Sequence, residues 1–328
     1  MKSYQVTGIG NAIVDVLTRM EDEGLAALGI TKGVMTLVDQ PRCEALYAGM
    51  TDRSQIPGGS VGNTIAGLGA LGLRTACIGK VADDEIGHFA VDALAAEGIA
   101  FPVAPVENAA LPTSRCMIFV SPDGERSMNT YLGISAEFGP EDLPEAVIRD
   151  SEILFLEGYL FDKDPGKAAF LKAARLCREA GGRAGLSLSD PFCVDRHRSD
   201  FRALVAEMDF VIGNEHEWAA LYQTETLTEA LDLAAAHCPL VVCTRSGEGV
   251  TIRQGATSID VPVSRIAPLD TTGAGDQFAA GFLYGLATGR DLETAGRMGC
   301  IAAAEVITHF GARPDESVLD LFRKAGLL

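Results

Sequence analysis

The chain has 328 residues, and its 45 acidic against 27 basic side chains give a formal net charge of −18 at pH 7. A surface with this charge repels phosphate backbones and anionic lipids, so general binding to nucleic acids or membrane surfaces is disfavoured. Hydrophobic residues make up 47% of the chain and charged residues 22%, which is typical of a globular protein with a large core and excludes a disordered one.

Apolar runs of strand length alternate with amphipathic stretches of helix length along most of the chain. The strand-like runs cover residues 6–10, 75–81, 153–158, 184–190, 210–214 and 240–244, and the helix-like stretches include 84–97, 166–180 and 216–221. This alternation predicts a doubly wound α/β fold, in which helices cover both faces of a mostly parallel central sheet.

Three segments break this alternation, at residues 12–20, 34–57 and 113–131. In the third, Ser-Pro-Asp-Gly at 121–124 lies between two alternating segments, which is typical of a hairpin turn. We therefore expect these segments to form a small inserted β lid. No linker rich in Pro, Gly or Ser divides the chain and no long repeat occurs, so the lid is expected to belong to a single domain spanning 1–328.

The targeting and cysteine patterns are those expected of a cytoplasmic protein. Asn11 and Asp15 interrupt the only apolar stretch near the N-terminus, and no small-residue cleavage site follows it, so no secretory signal is predicted. The uncharged stretch 54–73 has the length of a membrane span, but its six glycines and Pro57 indicate a motif instead. The eight cysteines form no CxxC pair, which favours a reducing compartment and gives no zinc-binding spacing.

The most informative motif is Asp-Thr-Thr-Gly-Ala-Gly-Asp at 270–276, which is followed at once by an apolar, helix-like stretch. Small residues at the start of a helix leave backbone N–H groups free to hold an anion, and the helix dipole adds to the attraction. Asp276 at the mouth of such a phosphate cradle is a candidate general base for an attacking hydroxyl. The alternative is that Asp276 merely caps the helix.

Four motifs together resemble those of the ribokinase-like (PfkB) carbohydrate and nucleoside kinases. Residues 270–285 resemble the C-terminal signature of that family, and Pro-Gly-Gly-Ser-Val-Gly-Asn-Thr at 57–64 resembles its N-terminal signature. Residues 213–217 are similar to its Asn-x-x-Glu motif, and 10–15 to its first-strand Gly-Asn-…-Asp. The motifs occur in the family's order and cover essentially the whole chain. The resemblance implies a ribokinase-like fold and an ATP- and Mg²⁺-dependent kinase of a small sugar or nucleoside.

The resemblance also implies roles for individual residues. Asp276 would deprotonate the acceptor hydroxyl, while the backbone around Gly273, Ala274 and Gly275 would hold the transferring phosphoryl group. The residues implied to bind the acceptor are Asn11, Asp15, Gly58, Gly59, Asn63, Arg126 and Tyr159. Those implied to bind ATP are Asn214, Thr244, Gly247, Gly249 and Gly275. Asn214 and Glu217 would organise Mg²⁺ largely through water. The backbone carbonyl of Asp270 and the side-chain or backbone oxygens of Thr272 would border a loop for a monovalent cation, for which K⁺ is the candidate.

Within the family, the chain looks most like the adenosine kinases. The resemblance lies in residues 11–15, the acidic stretch 21–32, the long gap before Gly58, and 299–303 followed by Gly311. Arg126 matches an arginine that reaches the phosphate region in those kinases. Tyr159 would put an aromatic ring beside the nucleobase of the acceptor. Glu157 stands where a small residue is expected, so a free sugar of the ribose, fructose or 2-keto-3-deoxygluconate type stays the alternative acceptor. The protein is expected to be a monomer or a homodimer.

Other interpretations of the same residues stay open at this point. Residues 58–62 also match the G-x-S-x-G nucleophile elbow, which makes Ser60 the candidate nucleophile of a serine hydrolase, although Pro57 disfavours the strand that should precede it. Ser246 replaces a glycine that the family usually has on the nucleotide side. Six candidates also have purely structural interpretations. Gly58 and Gly59 would form a tight turn, Asn63 would be an exposed helix residue, Glu217 a solvated helix carboxylate, Arg126 a surface charge on the hairpin, and Tyr159 part of a buried strand end.

Overall fold

The computed structural model describes residues 2–328. In chain order its strands are β1 Tyr4–Ile9, β2 Ile13–Arg19, β3 Met35–Leu37, β4 Ser54–Pro57, β5 Thr75–Ile78, β6 Ser114–Val120, β7 Arg126–Tyr131, β8 Ser151–Glu157, β9 Arg183–Ser187, β10 Phe210–Asn214, β11 Val241–Thr244, β12 Val250–Gln254 and β13 Thr257–Val261. Its α-helices are α1 Asp22–Ala27, α2 Gln40–Gly49, α3 Ser60–Ala70, α4 Glu85–Ala96, α5 Glu145–Arg149, α6 Asp164–Glu179, α7 Pro191–Arg196, α8 Arg198–Ala206, α9 Glu215–Tyr222, α10 Leu227–Ala235, α11 Ala274–Ala287, α12 Leu292–Val306 and α13 Val318–Lys324.

The central sheet has eight strands in the order β13-β12-β11-β10-β9-β8-β1-β5. The six strands from β5 to β11 in this order are parallel, and they are the six predicted from apolar runs. The predicted doubly wound α/β class is therefore confirmed. The sequence analysis missed β12 and β13, which add an antiparallel hairpin at one edge. Most of β13 is exposed, so it lacks the apolar run that marks the buried strands.

Two hydrophobic cores hold helices on opposite faces of this sheet. Helices α6 to α10 cover one face, where Phe170, Phe201 and Trp218 are fully buried. Helices α3, α11, α12 and α13 cover the other, around residues such as Phe282. Helix α11 packs closely on α12 because it carries glycines at the contact: a Cβ at Gly281 would lie 2.5 Å from a backbone oxygen of α12. This close packing fixes the position of α11, whose first turn carries the phosphate-cradle motif.

A second sheet of five strands has the order β3-β7-β6-β2-β4. Its strands come from the three segments that interrupt the α/β alternation, and β6 and β7 form an antiparallel hairpin around Gly124, which has a φ of +88°. A separate core that includes Val14, Leu46 and Phe119 packs this sheet against α1, α2 and α4. We predict that this sheet moves as a lid. We also predict that it forms a single domain with the central sheet.

Two further observations concern targeting and redox state. Among the residues that the structure describes, no helix is both long and apolar enough to span a bilayer. The eight cysteines are all free, and seven of them are buried. Burial raises the pKa of several of these thiols, for example that of Cys43 to about 11. Such thiols stay protonated near neutral pH, and they act as small core residues.

Candidate active site

The candidate site lies at the carboxyl-terminal edge of the central sheet, where ligands of open α/β sheets commonly bind. The last residues of β10 and β11, Asn214 and Thr244, are register partners there. The N-terminal ends of α3 and α11 meet at the same edge. Gln277 links the two helices, because its side-chain amide donates to the backbone oxygen of Asn63 at 3.2 Å.

The phosphate-cradle motif forms the first turn of α11. Gly273 is the N-cap of this helix and has a φ of +78°, and a Cβ at this position would lie 2.5 Å from the Cα of Ala312. Only glycine fits such a position. Gly275 is exposed, and a Cβ there would meet no atom within 4 Å. The N–H groups in the first turn of a helix lack intrahelical acceptors. That of Ala274 donates to the backbone oxygen of Thr271 at 3.2 Å, so the N–H groups suited to an anion are those that follow it in this turn.

Asp276 lies in the same turn and is held by α3. Its Oδ1 accepts a hydrogen bond from Ser60 Oγ at 2.6 Å, and its Oδ2 accepts one from Asn63 Nδ2 at 3.0 Å. Burial raises the pKa of Asp276 to about 6, and these two hydrogen bonds oppose the rise. The N-cap alternative is wrong, because the N-cap is Gly273. A carboxylate with this pKa is ionised at neutral pH yet basic enough to accept a proton.

The predicted acceptor residues gather around Asp15 of β2. A Cβ at Gly58 would lie 2.5 Å from Asp15 Cγ, so the absence of a side chain there makes room for the carboxylate. Gly59 has a φ of +82°, and its Cβ would lie 2.5 Å from the backbone oxygen of Asn11. The pKa of Asp15 is raised to about 6 by burial, against the opposing charges of Arg126 and Arg313. The tight-turn alternative for the two glycines is therefore incomplete, because their small size also lets Asp15 and the Asn11 backbone approach this closely.

Two predicted acceptor residues are more buried than the sequence indicates. Asn11 is 2% exposed, and its Oδ1 accepts a hydrogen bond from Ser135 Oγ at 2.5 Å. Asn63 is 6% exposed, so the alternative of an exposed helix residue is wrong. Tyr159, by contrast, is 37% exposed and is not a buried strand end. Burial and the nearby carboxylates of Asp190, Glu157 and Asp276 raise the pKa of Tyr159.

Glu157 is a site residue whose role the sequence analysis missed. It ends β8, is 2% exposed, and its Oε2 accepts hydrogen bonds from the backbone N–H groups of Asn11 at 3.0 Å and Val61 at 3.4 Å. It therefore joins the loop after β1 to the first turn of α3. Burial raises the pKa of Glu157 to about 8, so the carboxyl group is protonated at neutral pH. The sequence signals were a carboxylate at the end of an apolar run and its place where the family has a small residue.

Arg126 connects the second sheet to the cradle. Its side chain is 10% exposed, and Nη1 donates to Asp270 Oδ2 at 2.9 Å and to Thr272 Oγ1 at 3.2 Å. The surface-charge alternative for Arg126 is therefore wrong. A cavity of about 320 Å³ lies between the β6–β7 turn and the loop before α11, and Arg126 lines it together with Leu269 and Phe310.

The Asp270 carboxylate is already saturated with hydrogen-bond donors, so the monovalent-cation loop stays a prediction that rests on the backbone oxygens of Asp270 and Thr272. Asp270 Oδ1 accepts from Thr272 N at 2.9 Å and Thr272 Oγ1 at 2.6 Å, and Oδ2 accepts from Arg126 and from Gly311 N at 3.0 Å. Burial alone would raise the pKa of Asp270, but these hydrogen bonds and the charge of Arg126 lower it. Every carboxylate oxygen thus has two donors, and a positive charge is already present.

Asn214 and Glu217 form a reciprocal cap at the start of α9. Asn214 Oδ1 accepts from Glu217 N at 2.9 Å, and the two Glu217 oxygens accept from Asn214 N and Nδ2 at 2.8 and 2.7 Å. Glu217 is 5% exposed, so the solvated-carboxylate alternative is wrong. Burial raises its pKa to about 7, and the nearby charge of Asp190, which the sequence analysis missed, adds to the rise. The free lone pairs of this carboxylate fit a hydrated Mg²⁺.

The other residues predicted to bind ATP lie at the end of β11 and just after it. Gly247 is exposed, whereas Gly249 is buried, has a φ of +89°, and would place a Cβ 2.0 Å from the backbone oxygen of Val261. Gly249 is therefore explained by the backbone turn alone. Ser246, which replaces the expected glycine, also has a positive φ of 47°. Although Ser246 departs from the family pattern, its backbone has the conformation that glycine usually provides.

Comparison with known proteins assigns the family. The model of the pfkB family of carbohydrate kinases matches residues 39–318. The chain belongs to the PfkB family. It is therefore an ATP-dependent sugar or nucleoside kinase, and its Ser60 is not the nucleophile of a hydrolase; the Ser60 hydroxyl donates to Asp276.

Three relatives of this PfkB kinase illustrate the range of its neighbours. A probable sugar kinase from Rhizobium etli CFN 42 has a TM-score of 0.90 and 43% identity, with all of both chains covered. An adenosine kinase from Sinorhizobium meliloti has a TM-score of 0.89 and 44% identity, covering 98% of this chain and 99% of that one. A 5-dehydro-2-deoxygluconokinase from Halalkalibacterium halodurans is 30% identical over 78% of this chain and 80% of its own. Both sugar and nucleoside kinases are thus represented.

Proposed function

We propose that this PfkB kinase transfers the γ-phosphoryl group of ATP to a primary hydroxyl group of an adenosine-like nucleoside. The observation that carries the proposal is the first turn of α11, where an ionised carboxylate, Asp276, lies next to the exposed Gly275. A proton acceptor and an anion site are the two groups that phosphoryl transfer to a hydroxyl needs.

In the proposed reaction the acceptor hydroxyl approaches Asp276 from the side of Asp15 and Gly58. Asp276 takes the hydroxyl proton as the oxygen forms its bond to the γ-phosphorus, and the bond from phosphorus to the β,γ-bridging oxygen breaks to release ADP. The N–H groups of the α11 turn stabilise the charge on the transferring phosphoryl group. Asn214 and Glu217 would hold a hydrated Mg²⁺, which when bound neutralises charge on the phosphates.

The second sheet is proposed to act as the lid over this reaction. The ion pair between Arg126 and Asp270 is nearly buried and ties β7 to the loop before α11. Gly124 at the hairpin tip faces the ring of Phe310, because a Cβ there would lie 3.1 Å from that ring. Contacts of this kind would exclude water, which competes with the acceptor for the phosphoryl group.

The choice of a nucleoside acceptor is supported by the 44% identity to the adenosine kinase over nearly the full chain. It is also supported by Tyr159, whose partly exposed ring is available to stack on a base. A free sugar is the second candidate, favoured by the sugar-kinase relative and by Glu157 below the pocket. In either case the partner is a small molecule; a monomeric or homodimeric state stays a prediction.

A coupled assay of ATP consumption tests the acceptor directly. The panel contains adenosine, guanosine, inosine, ribose, fructose and 2-keto-3-deoxygluconate, each with the Asp276→Asn variant as control. The proposal expects the highest kcat/KM with adenosine. A higher kcat/KM with a free sugar would instead support the second candidate, and no turnover with any compound would contradict both.

A further inference from the structure

Helix α3 presents three side chains to the first turn of α11: those of Ser60, Asn63 and Thr64. Ser60 and Asn63 each donate to one oxygen of the Asp276 carboxylate, at 2.6 and 3.0 Å. Thr64 donates to the backbone oxygen of Asp276 at 3.1 Å. Residues at i, i+3 and i+4 lie on the same face of a helix, so one face of α3 makes all three hydrogen bonds.

The hydrogen bonds from Ser60 and Asn63 can change the ionisation of the Asp276 carboxylate, whereas the bond from Thr64 to the backbone oxygen does not touch that group. Asp276 is partly buried, and the titratable groups that face it from other elements are Asp15 of β2, Glu157 of β8 and Tyr159. None of these is a cation, so they give the ionised carboxylate no compensating charge. The hydrogen bonds from Ser60 and Asn63 are therefore the interactions that favour its ionised form.

The same two bonds fix the direction of the carboxylate. With one donor on each oxygen, the group cannot rotate about its terminal torsion without losing a charge-assisted bond. Each carboxylate oxygen has a further lone pair, which leaves room for the proton of an acceptor hydroxyl. The geometry is thus compatible with Asp276 acting as a base while both donors stay in place.

We propose that Ser60 and Asn63 are positioning residues, which hold the Asp276 carboxylate ionised and aimed for proton transfer. The inference rests on the proposed function, because it concerns the same base. It changes the interpretation of Asn63, since the Nδ2 that could have bound an acceptor hydroxyl is directed to Asp276. It also explains Ser60, which the kinase motifs alone leave without a role.

The test is the acidic limb of kcat/KM for the acceptor against pH, which reports the essential base in the free enzyme. Ser60→Ala removes one charge-assisted donor, so the limb is expected to move to higher pH by roughly 1 unit. Activity would then fall about tenfold more at pH 5.5 than at pH 8.5, where only the loss of alignment of the carboxylate remains. Asp15 titrates in the same range and responds to the charge of Asp276, but the Ser60 hydroxyl donates to Asp276 and not to Asp15, so the change between the two profiles originates at Asp276. Ser60→Thr keeps the hydroxyl and should restore the parental limb.

Thr64→Val is the matched control, because it removes a hydroxyl that joins the same two helices but not the carboxylate. The acidic limb of its pH profile of kcat/KM is expected to coincide with that of the parent. This result would separate positioning of Asp276 from loosened packing between α3 and α11. A Ser60→Ala limb that coincides with the parental one, or a Thr64→Val limb that shifts equally, would overturn the proposal. Failure of the proposed function has a different signature, since Asp276→Asn would then retain parental activity.

Discussion

Replacing Gly275 by valine should abolish catalysis while leaving the fold intact. Gly275 is exposed in the first turn of α11, and an added Cβ would meet no atom within 4 Å, so the free protein has room for the side chain. Surface substitutions without new contacts usually change stability by no more than about 0.5 kcal/mol. The valine would instead occupy space in front of the N–H groups that are proposed to hold the phosphoryl group.

The expected loss follows from the number of donors that the valine blocks. Removing one preorganised donor of this kind typically lowers kcat by about 10²–10³-fold, or about 2.7–4 kcal/mol. The assay is kcat at saturating ATP and acceptor, paired with a thermal unfolding curve. Gly281→Val on the same helix is the control, because its Cβ would lie 2.5 Å from a backbone oxygen of α12 and should lower Tm. A Gly275→Val enzyme with parental kcat would refute the placement of the anion site.

Two further predictions concern Asp15 and Glu157. Asp15→Ala should raise KM for the acceptor by about 10–100-fold, since each lost charge-assisted bond costs about 1.5–3 kcal/mol, and should leave ATP affinity unchanged; isothermal titration of both ligands checks this. The raised pKa of Glu157, about 8, means that its contribution to stability is fully present below about pH 4.5 and is lost as pH rises through 8. Glu157→Gln should therefore be more stable than the parent at pH 8.5 and similar at pH 4.5 in urea unfolding; equal stability at both would show that Glu157 does not titrate this way.

The central sheet could be predicted because its strands are buried on both faces and appear as uninterrupted apolar runs. Strand β10 was predicted with the bounds that the structure shows. Strand β13 could not be found this way, because four of its five residues are partly or fully exposed. Its position is set by pairing with β12 at the edge of the sheet, which is a tertiary contact without a local signal.

The candidate site was predictable only in part. Motif spacing identified Asp276 and the glycines, because a tight turn before a helix has a local sequence pattern. The partners of Asp276 had no such pattern: Ser60 and Asn63 lie 216 and 213 residues away along the chain. Glu157 likewise acquires its neutral form from burial between the loop after β1 and α3, which no local sequence feature encodes. Contacts between distant segments thus decide which polar residues bind ligands and which hold other residues.

The most direct test of the central claim is kcat of the Asp276→Asn variant at saturating ATP and acceptor, with ATP affinity measured on the same preparation. Asparagine keeps the shape of the side chain but cannot accept the hydroxyl proton. We expect kcat to fall by about 10²–10⁴-fold, as for loss of a general base, while ATP affinity stays within a few fold of the parent. A variant that keeps near-parental kcat would contradict the account, because the proton would then be removed by another group.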